Sequence, residues 1–206
     1  MSPAVRTYRG ASAEERRTDR RARLLSGALD VVGGVGVVGL TVEAVCARAG
    51  LTKRYFYEAF ADRDAVLAAL ADDVYAGLHG AIVASLREVD GDTRARATRA
   101  VEVFTETLDG NPAVARLYAE SPGQPRLLAR RDDAVDEFAD LVLDEVLRLR
   151  PEDRERLRTA AVFVVAGTTH LVTRWLAGGV PLERLELVEQ ITRTGTGALL
   201  AREPTA

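Results

Sequence analysis

The sequence predicts an all-α protein of about nine helices, with an N-terminal three-helix unit followed by a larger helical bundle. Three observations predict it. Apolar residues recur three and four positions apart through most of the chain, the spacing that lines one face of a helix. The recurrences are punctuated by N-cap residues, by Gly, and by Pro at first helical positions. No stretch alternates apolar and polar residues as a half-buried strand does, and no internal repeat is found.

Residues 1–11 lack periodicity and contain Pro3 and Gly10, so they are expected to form a flexible arm, Arg6 and Arg9 included. Ser12 and Glu15 have capping-box spacing, and a first helix starts there. It carries the basic cluster Arg16, Arg17, Arg20, Arg21 and Arg23, with Leu24, Leu25, Ala28, Leu29, Val31 and Val32 as an apolar stripe. Gly33, Gly34 and Gly36 end it. Two short helices follow. Thr41 is the expected N-cap of the first, with Glu43 where a carboxylate suits the helix dipole. Val42, Val45 and Ala49 share a face, and Gly50 stops the helix because a residue without Cβ enters the left-handed region at little cost. Leu51 plugs the turn. Thr52 is the expected cap of the next helix, Lys53 to Ala59, whose Phe56 and Phe60 face inward together. Lys53, Arg54, Tyr55 and Tyr57 are left at its exposed end. Two cations and two phenols on so short a helix are what a helix-turn-helix reader of DNA presents.

The stretch Thr41 to Leu67 resembles the DNA-binding domain of the tetracycline-repressor (TetR) family of bacterial transcription regulators. The resemblance is carried by Thr41, Val42, Val45, Ala49, Gly50, Leu51, Thr52, Tyr57, Phe60, Arg63 and Asp64, at fixed spacing, with Leu67 beside the position of the motif's closing leucine. Three positions depart from the pattern. Cys46 stands where a small Ala is usual, Glu58–Ala59 replaces a basic–His pair, and Arg54 replaces a frequent Gly. The last two lie on or beside the reading surface and bear on which operator is read. The resemblance implies a dimeric regulator of transcription that binds a palindromic double-stranded operator. A repressor released by a small molecule is the main expectation, and an activator or a regulator without ligand control is the alternative. On this reading Lys53, Arg54 and Tyr55 approach base edges. Thr41, Thr52, Tyr57 and Arg63 hold phosphates, three of them at helix starts where free N–H groups favour anions.

From Asp62 as cap, a long fourth helix is expected to about Val89, with Ala65, Val66, Ala69, Leu70, Val74, Leu78, Ile82 and Leu86 in helical period. Asp90-Gly91-Asp92 breaks it. A fifth helix runs from Thr93 to Leu108, with Ala97, Val101, Phe104 and Leu108 on one face. Asn111 and Pro112 cap and open a short sixth. After Ser121-Pro122-Gly123, Pro125 opens a seventh to about Arg150, Pro151 an eighth to about Ala177, and Pro181 a ninth to about Ala201. The expected organisation is therefore an arm (1–11), a helix-turn-helix domain (12–61) and a ligand-binding and dimerisation domain (62–206).

Composition narrows the class. The chain has 206 residues, 47% hydrophobic and 29% charged, the balance of an ordinary soluble protein. Its one cysteine, Cys46, is expected to be a small buried residue, and the two histidines lie too far apart in sequence for a metal cluster. No metal or cofactor is expected. The N-terminus is not a signal peptide, and the apolar run Ala160 to Leu176 is interrupted by Thr168, Thr169, His170 and Arg174, so no membrane association and a cytoplasmic location are expected. Net charge is −3, unevenly spread: residues 1–64 hold 11 Arg/Lys and 8 Asp/Glu, and the remainder 17 and 23. A basic local surface on an acidic chain suits DNA. An all-helical enzyme is the rival, but Asp132, Asp133, Asp136 and Glu137 read as a solvated face and no phosphate-binding Gly loop is present.

Two further sites follow from the resemblance. The regulatory pocket is expected among the fourth to eighth helices. Tyr75, Phe104, Tyr118, Phe138 and Val165 would form its apolar wall, with handles from Glu106, Thr107, Arg116, Thr169 and His170. His170 is read as an interior hydrogen-bonded residue or as the pocket's orienting group, and the effector as an apolar, poorly charged compound. The dimer interface is expected on the last two long helices, from Phe163, Gly167, Leu171 and Arg174 on the eighth and Val188, Ile191 and Gly195 on the ninth. The other possibility for these stripes is their own domain's core.

Overall fold

The computed structural model describes residues 12–120 and 124–200. The expected arm, the break at 121–123 and the end of the last helix at Ala201 lie outside the described residues. Within them the chain is helical: α1 (Ala13–Val35), α2 (Val42–Ala49), α3 (Lys53–Ala59), α4 (Arg63–Leu86), α5 (Thr93–Asp109), α6 (Pro112–Glu120), α7 (Pro125–Leu141), α8 (Pro151–Leu176) and α9 (Arg184–Leu200).

The helix starts follow their caps. Glu15 N–H donates to Ser12 Oγ at 3.0 Å and Ser12 N–H to the Glu15 carboxylate at 2.5 Å, so the capping box is closed in both directions. Asp62 accepts from Ala65 N–H at 2.7 Å and Asp92 from Ala95 N–H at 2.9 Å, fixing the entries of α4 and α5. Asn111 Oδ1 accepts from the N–H groups of Ala113 and Val114 at the start of α6. Each contact satisfies a backbone donor that the helix itself leaves open.

Three expectations are corrected. Thr52 occupies the N-cap of α3, but its hydroxyl makes no capping hydrogen bond. The seventh helix does not stay α-helical to Arg150: it passes into a π-helical turn, Val142–Val146, before Arg148 takes a positive φ of 51°. The ninth helix starts at Arg184, three residues after Pro181, where Glu186 reaches back to Glu183 N–H at 3.0 Å. Val32, near the end of α1, is fully buried.

One apolar core runs from the N-terminal unit into the bundle, through Leu24, Phe56, Leu67, Leu70, Leu108, Leu117 and Leu187. Arg96 was not singled out by sequence. It is 3% exposed and donates to the carbonyls of Leu86 (2.9 Å), Val89 (3.2 Å) and Glu145 (2.7 Å from Nε). Its guanidinium thereby satisfies the carbonyls at the C-terminal end of α4 and ties that end to the π-helical turn. A second, smaller cluster of Ala139, Leu143, Ala161 and Leu199 joins α7, α8 and α9. One described helix, α4, is long and apolar enough to cross a membrane; its buried residues, from Val66 to Leu86, lie in the core.

Candidate nucleic-acid interface and effector cavity

The candidate reading surface is built from α1 to α3. Gly50 adopts φ 63°, ψ 37°, which lets the chain turn sharply between α2 and α3 at a position where a side chain would be strained. Arg23 of α1 locks the turn from behind, donating to the carbonyls of Ala49 at 2.7 Å and Gly50 at 3.4 Å. Phe56 is fully buried and Phe60 nearly so, their rings 5.7 Å apart. The inward face of α3 is thus fixed, and Lys53, Arg54, Tyr55 and Tyr57 stand on the exposed side.

Each of these four has a neighbour. Lys53 pairs with Glu43 of α2, which raises the ammonium pKa and lowers that of the carboxylate, both mainly through their mutual hydrogen bond. Arg54 donates to Glu58 one turn on, at 3.1 Å, with most of its side chain in solvent. Arg20 stacks over the Tyr55 ring at 4.7 Å, and Arg21 over Phe60 at 4.7 Å. The basic cluster of α1 therefore divides: Arg20, Arg21 and Arg23 brace the motif. Tyr57 is 58% exposed, with its ring edge-on to Phe56 at 5.4 Å. Thr41 Oγ1 accepts from Ala44 N–H at 3.2 Å and caps α2.

Arg63, from which a phosphate contact is expected, directs its donors into the fold. Its Nε donates to Leu40 O at 2.8 Å, its Nη2 to Val37 O, and its Nη1 meets Asp64 at 3.2 Å. The guanidinium holds the α1–α2 loop closed because the loop carbonyls have no helical partner and an arginine fork supplies several donors at once.

The same loop is gripped from the other side by α6. Glu120 accepts from Val37 N–H at 2.7 Å and from Arg116 Nε at 2.7 Å, while Arg116 Nη1 lies 3.4 Å from Gly33 O and 3.3 Å from Gly34 O. Burial pushes the Glu120 carboxyl pKa up, but the Arg116 and Val37 hydrogen bonds outweigh it and hold the carboxyl below its ordinary value. A Cβ on Gly33 would fall 2.8 Å from Ala113 Cβ, so a glycine is what lets α6 lie so close to α1. Arg116 and Glu106, expected as pocket handles, are engaged elsewhere; Glu106 pairs with Arg184 at 3.1 Å and with Arg99.

Behind α6 lies a cavity of about 110 Å³. Phe104, Tyr118, Phe138, Val165 and Thr169 line it as the sequence anticipates. Tyr118 hydroxyl and Thr169 Oγ1 are 3.1 Å apart, and burial raises the phenol's pKa, so that Tyr118 stays neutral. One expected wall residue, Tyr75, and two expected handles, Thr107 and His170, fall outside. Tyr75 is buried one layer back, its ring against Tyr118 at 5.8 Å. Thr107 bonds back to Val103 O at 2.7 Å. His170 is exposed on α8, neither interior nor facing the cavity, because it falls on the opposite side of the helix from Thr169 and Val172. Sequence reasoning missed Ala97, Ala100 and Val101 of α5, and Val142, Val146 and Leu147 around the π-helical turn. It also missed the contribution of α9. Ile191, Thr192, Gly195, Thr196 and Leu199 form that wall, and their i, i+3, i+4 spacing was the available signal.

That finding corrects half of the expected dimer surface. Val188, Ile191 and Gly195 are buried within this chain, Gly195 because α9 crosses α8 at Val164. On α8 the expectation fares differently: Phe163 is 74% exposed and Gly167 and Arg174 share its open face, whereas Leu171 packs against the core. Trp175 Nε1 donates to Leu182 O at 2.8 Å and ties the end of α8 to the segment before α9.

Residues 24–70 match the family model described as "Bacterial regulatory proteins, tetR family". The chain is 26% identical over 189 residues to the "HTH-type transcriptional activator FasR" of Mycolicibacterium smegmatis, covering 89% of this chain and 84% of that protein. Its fold is similar to that of the fatty acid degradation regulator FadR from Bacillus halodurans (TM-score 0.71, 19% identity, 89% of this chain and 97% of that one). It is also similar to FadR from Bacillus subtilis, solved in complex with stearoyl-CoA (TM-score 0.62, 13% identity, 86% and 98%).

Proposed function

The chain belongs to the tetR family of bacterial regulatory proteins, and we propose that it is a homodimeric repressor that leaves a palindromic operator when a small apolar effector fills the cavity behind α6. It is a DNA-binding, ligand-responsive transcriptional regulator rather than an enzyme. The observation that carries the proposal is the outward face of α3. Its inner face is fixed by Phe56 and Phe60, and Lys53, Arg54, Tyr55 and Tyr57 are left exposed on a short helix that follows the left-handed turn at Gly50. A protein-binding adaptor has no need of that combination. Base contacts are assigned to Lys53, Arg54 and Tyr55, and phosphate contacts to Thr41, Thr52 and Tyr57. The Thr52 hydroxyl, without a capping bond, and the exposure of Tyr57 support the last two.

One such helix reads too few base pairs for specificity, so two copies related by a two-fold axis are required, with half-sites about 34–36 Å apart. The exposed face of α8, centred on Phe163 and Gly167, supports a pairing of α8 and α9 with those of the partner; on α9 the exposed large apolar residues are Leu185 and Leu200. Inside each protomer, α6 carries Tyr118 into the cavity and Arg116 and Glu120 onto the α1–α2 loop, which supports it as the link between effector and operator.

Gel shift on the promoter region beside the gene, with and without effector, tests the reading. Effector is expected to lower operator affinity over the same concentration range in which it perturbs Trp175 emission, because a ligand shifts only an equilibrium whose states it binds unequally. Ligands that change Trp175 emission and leave operator affinity unaltered would sink the induction half. Activation is the second reading, favoured by the likeness to a protein named as an activator. A footprint upstream of the promoter elements, with transcription raised in vitro, would select it over occlusion.

A further inference from the structure

The cavity wall is informative about charge as well as shape. Among the described residues, none that lines it is Asp, Glu, Lys, Arg or His. Tyr118, the one lining group able to ionise, is buried, neutral and bonded to Thr169. A charged group placed here would lose its hydration and meet no counter-charge.

Thr192 on α9 stands apart from the other lining hydroxyls. It is 3% exposed, and its Oγ1 is buried with no hydrogen-bond partner among the described residues. Thr196 bonds back to Thr192 O at 2.7 Å, Thr169 is taken by Tyr118, and Thr168 is only half-buried, so solvent reaches it. Threonines on helices ordinarily satisfy themselves on the carbonyl one turn back, as Thr105, Thr173 and Thr196 do here. A buried hydroxyl left unpaired in a mainly apolar wall is destabilising until something completes it.

We propose that the cavity takes a neutral, mainly aliphatic molecule with one oxygen function, a ketone, ester or alcohol, that hydrogen-bonds Thr192 Oγ1. The assignment rests on the cavity being the effector site. The hydroxyl donates to a carbonyl or exchanges hydrogen bonds with an alcohol, and the aliphatic body lies against Phe104, Val165 and Ile191. A free carboxylate is excluded from this position, since no cation is there to meet it.

The test uses the full-length protein and three probes of matched length: decan-2-one, decane and decanoate at pH 7, with binding followed by calorimetry. Decan-2-one is expected to bind tightest and decanoate weakest. Thr192→Val, which keeps the shape and removes the hydroxyl, should weaken decan-2-one about tenfold, leave decane unchanged and leave the melting temperature equal or higher. Thr192→Ser should retain ketone binding. Decanoate binding as tightly as the ketone, a Thr192→Val variant with an unaltered ketone-to-decane ratio, or failure of all three probes to bind would each overturn the assignment. Operator affinity is measured in parallel. Thr192-dependent ketone binding without operator release supports the assignment and removes only the effector role of the cavity.

Discussion

Arg63 separates two kinds of arginine at the reading surface. Its position at the start of α4 invites a phosphate, yet three of its nitrogens are directed to Leu40 O, Val37 O and Asp64. Replacing it by Ala should therefore lower stability, by about 2 kcal/mol for lost hydrogen bonds to a charged group, while the salt dependence of operator binding keeps its slope. Denaturant unfolding and a salt titration check this; a slope reduced by about one unit would restore the phosphate role. Arg54 is the contrasting case, held only by Glu58 at 3.1 Å on an exposed helix. Exposed pairs of this kind contribute little, so the guanidinium is available to bases. Arg54→Ala is expected to change the preference between operator variants by about 1–3 kcal/mol, and equal loss on all variants would remove it from the reading set. The distinction was not legible in the sequence, because both residues are arginines beside a carboxylate. What separates them is the loop Val37–Leu40, whose closure brings carbonyls to Arg63 from 23 and 26 residues away.

Among the elements, α6 is the one whose role sequence reading underestimated. Its caps and its opening Pro112 were visible, and Tyr118 was placed in the pocket. That Arg116 faces α1 was not visible, since a long-range contact with Gly33 and Gly34 leaves no local signature. The expected consequence is a split of effects. Arg116→Met should leave effector affinity and operator affinity close to wild type, and should reduce the factor by which one alters the other, from the 5–150-fold typical of coupled sites toward unity. A double titration of effector and operator measures it, and an unchanged factor would remove α6 from the link. Glu120 adds a pH dependence. Its folded pKa is held below the ordinary carboxylate value, so its contribution is present above that value and is lost as pH falls through the lowered one. Glu120→Gln should therefore show a shallower loss of stability below about pH 4.5 than the wild type, read as melting temperature against pH. Equal slopes would mean that the Glu120 charge contributes nothing to stability. The π-helical turn is a further element that pattern alone did not find: Pro125 to Arg150 reads as one helix, and only packing against α5 and Arg96 shows where it changes pitch.

At the scale of the whole molecule, the helix order and most boundaries were legible because caps, prolines and period agree with one another, as at Asp62, Asp92 and Pro151. The side of each late helix was less so. Both α8 and α9 are apolar over much of their surface, and periodicity cannot say which stripe meets its own core and which meets a partner; hence Ile191 and Gly195 proved internal while Phe163 stayed open. Phe163→Glu should accordingly yield a folded monomer in sedimentation at micromolar concentration, with operator affinity lost more than stability; a dimer that persists would move the interface elsewhere. The central claim is that two copies of this α3 read a palindrome. It is tested most directly by selection from a random duplex library at physiological salt, with wild type and Arg54→Ala side by side. The account predicts enrichment of an inverted repeat with half-sites one helical turn apart, and a different preferred base in each half-site for the variant. Recovery of unrelated sequences by both proteins, or of the same repeat with the same bases, would contradict it.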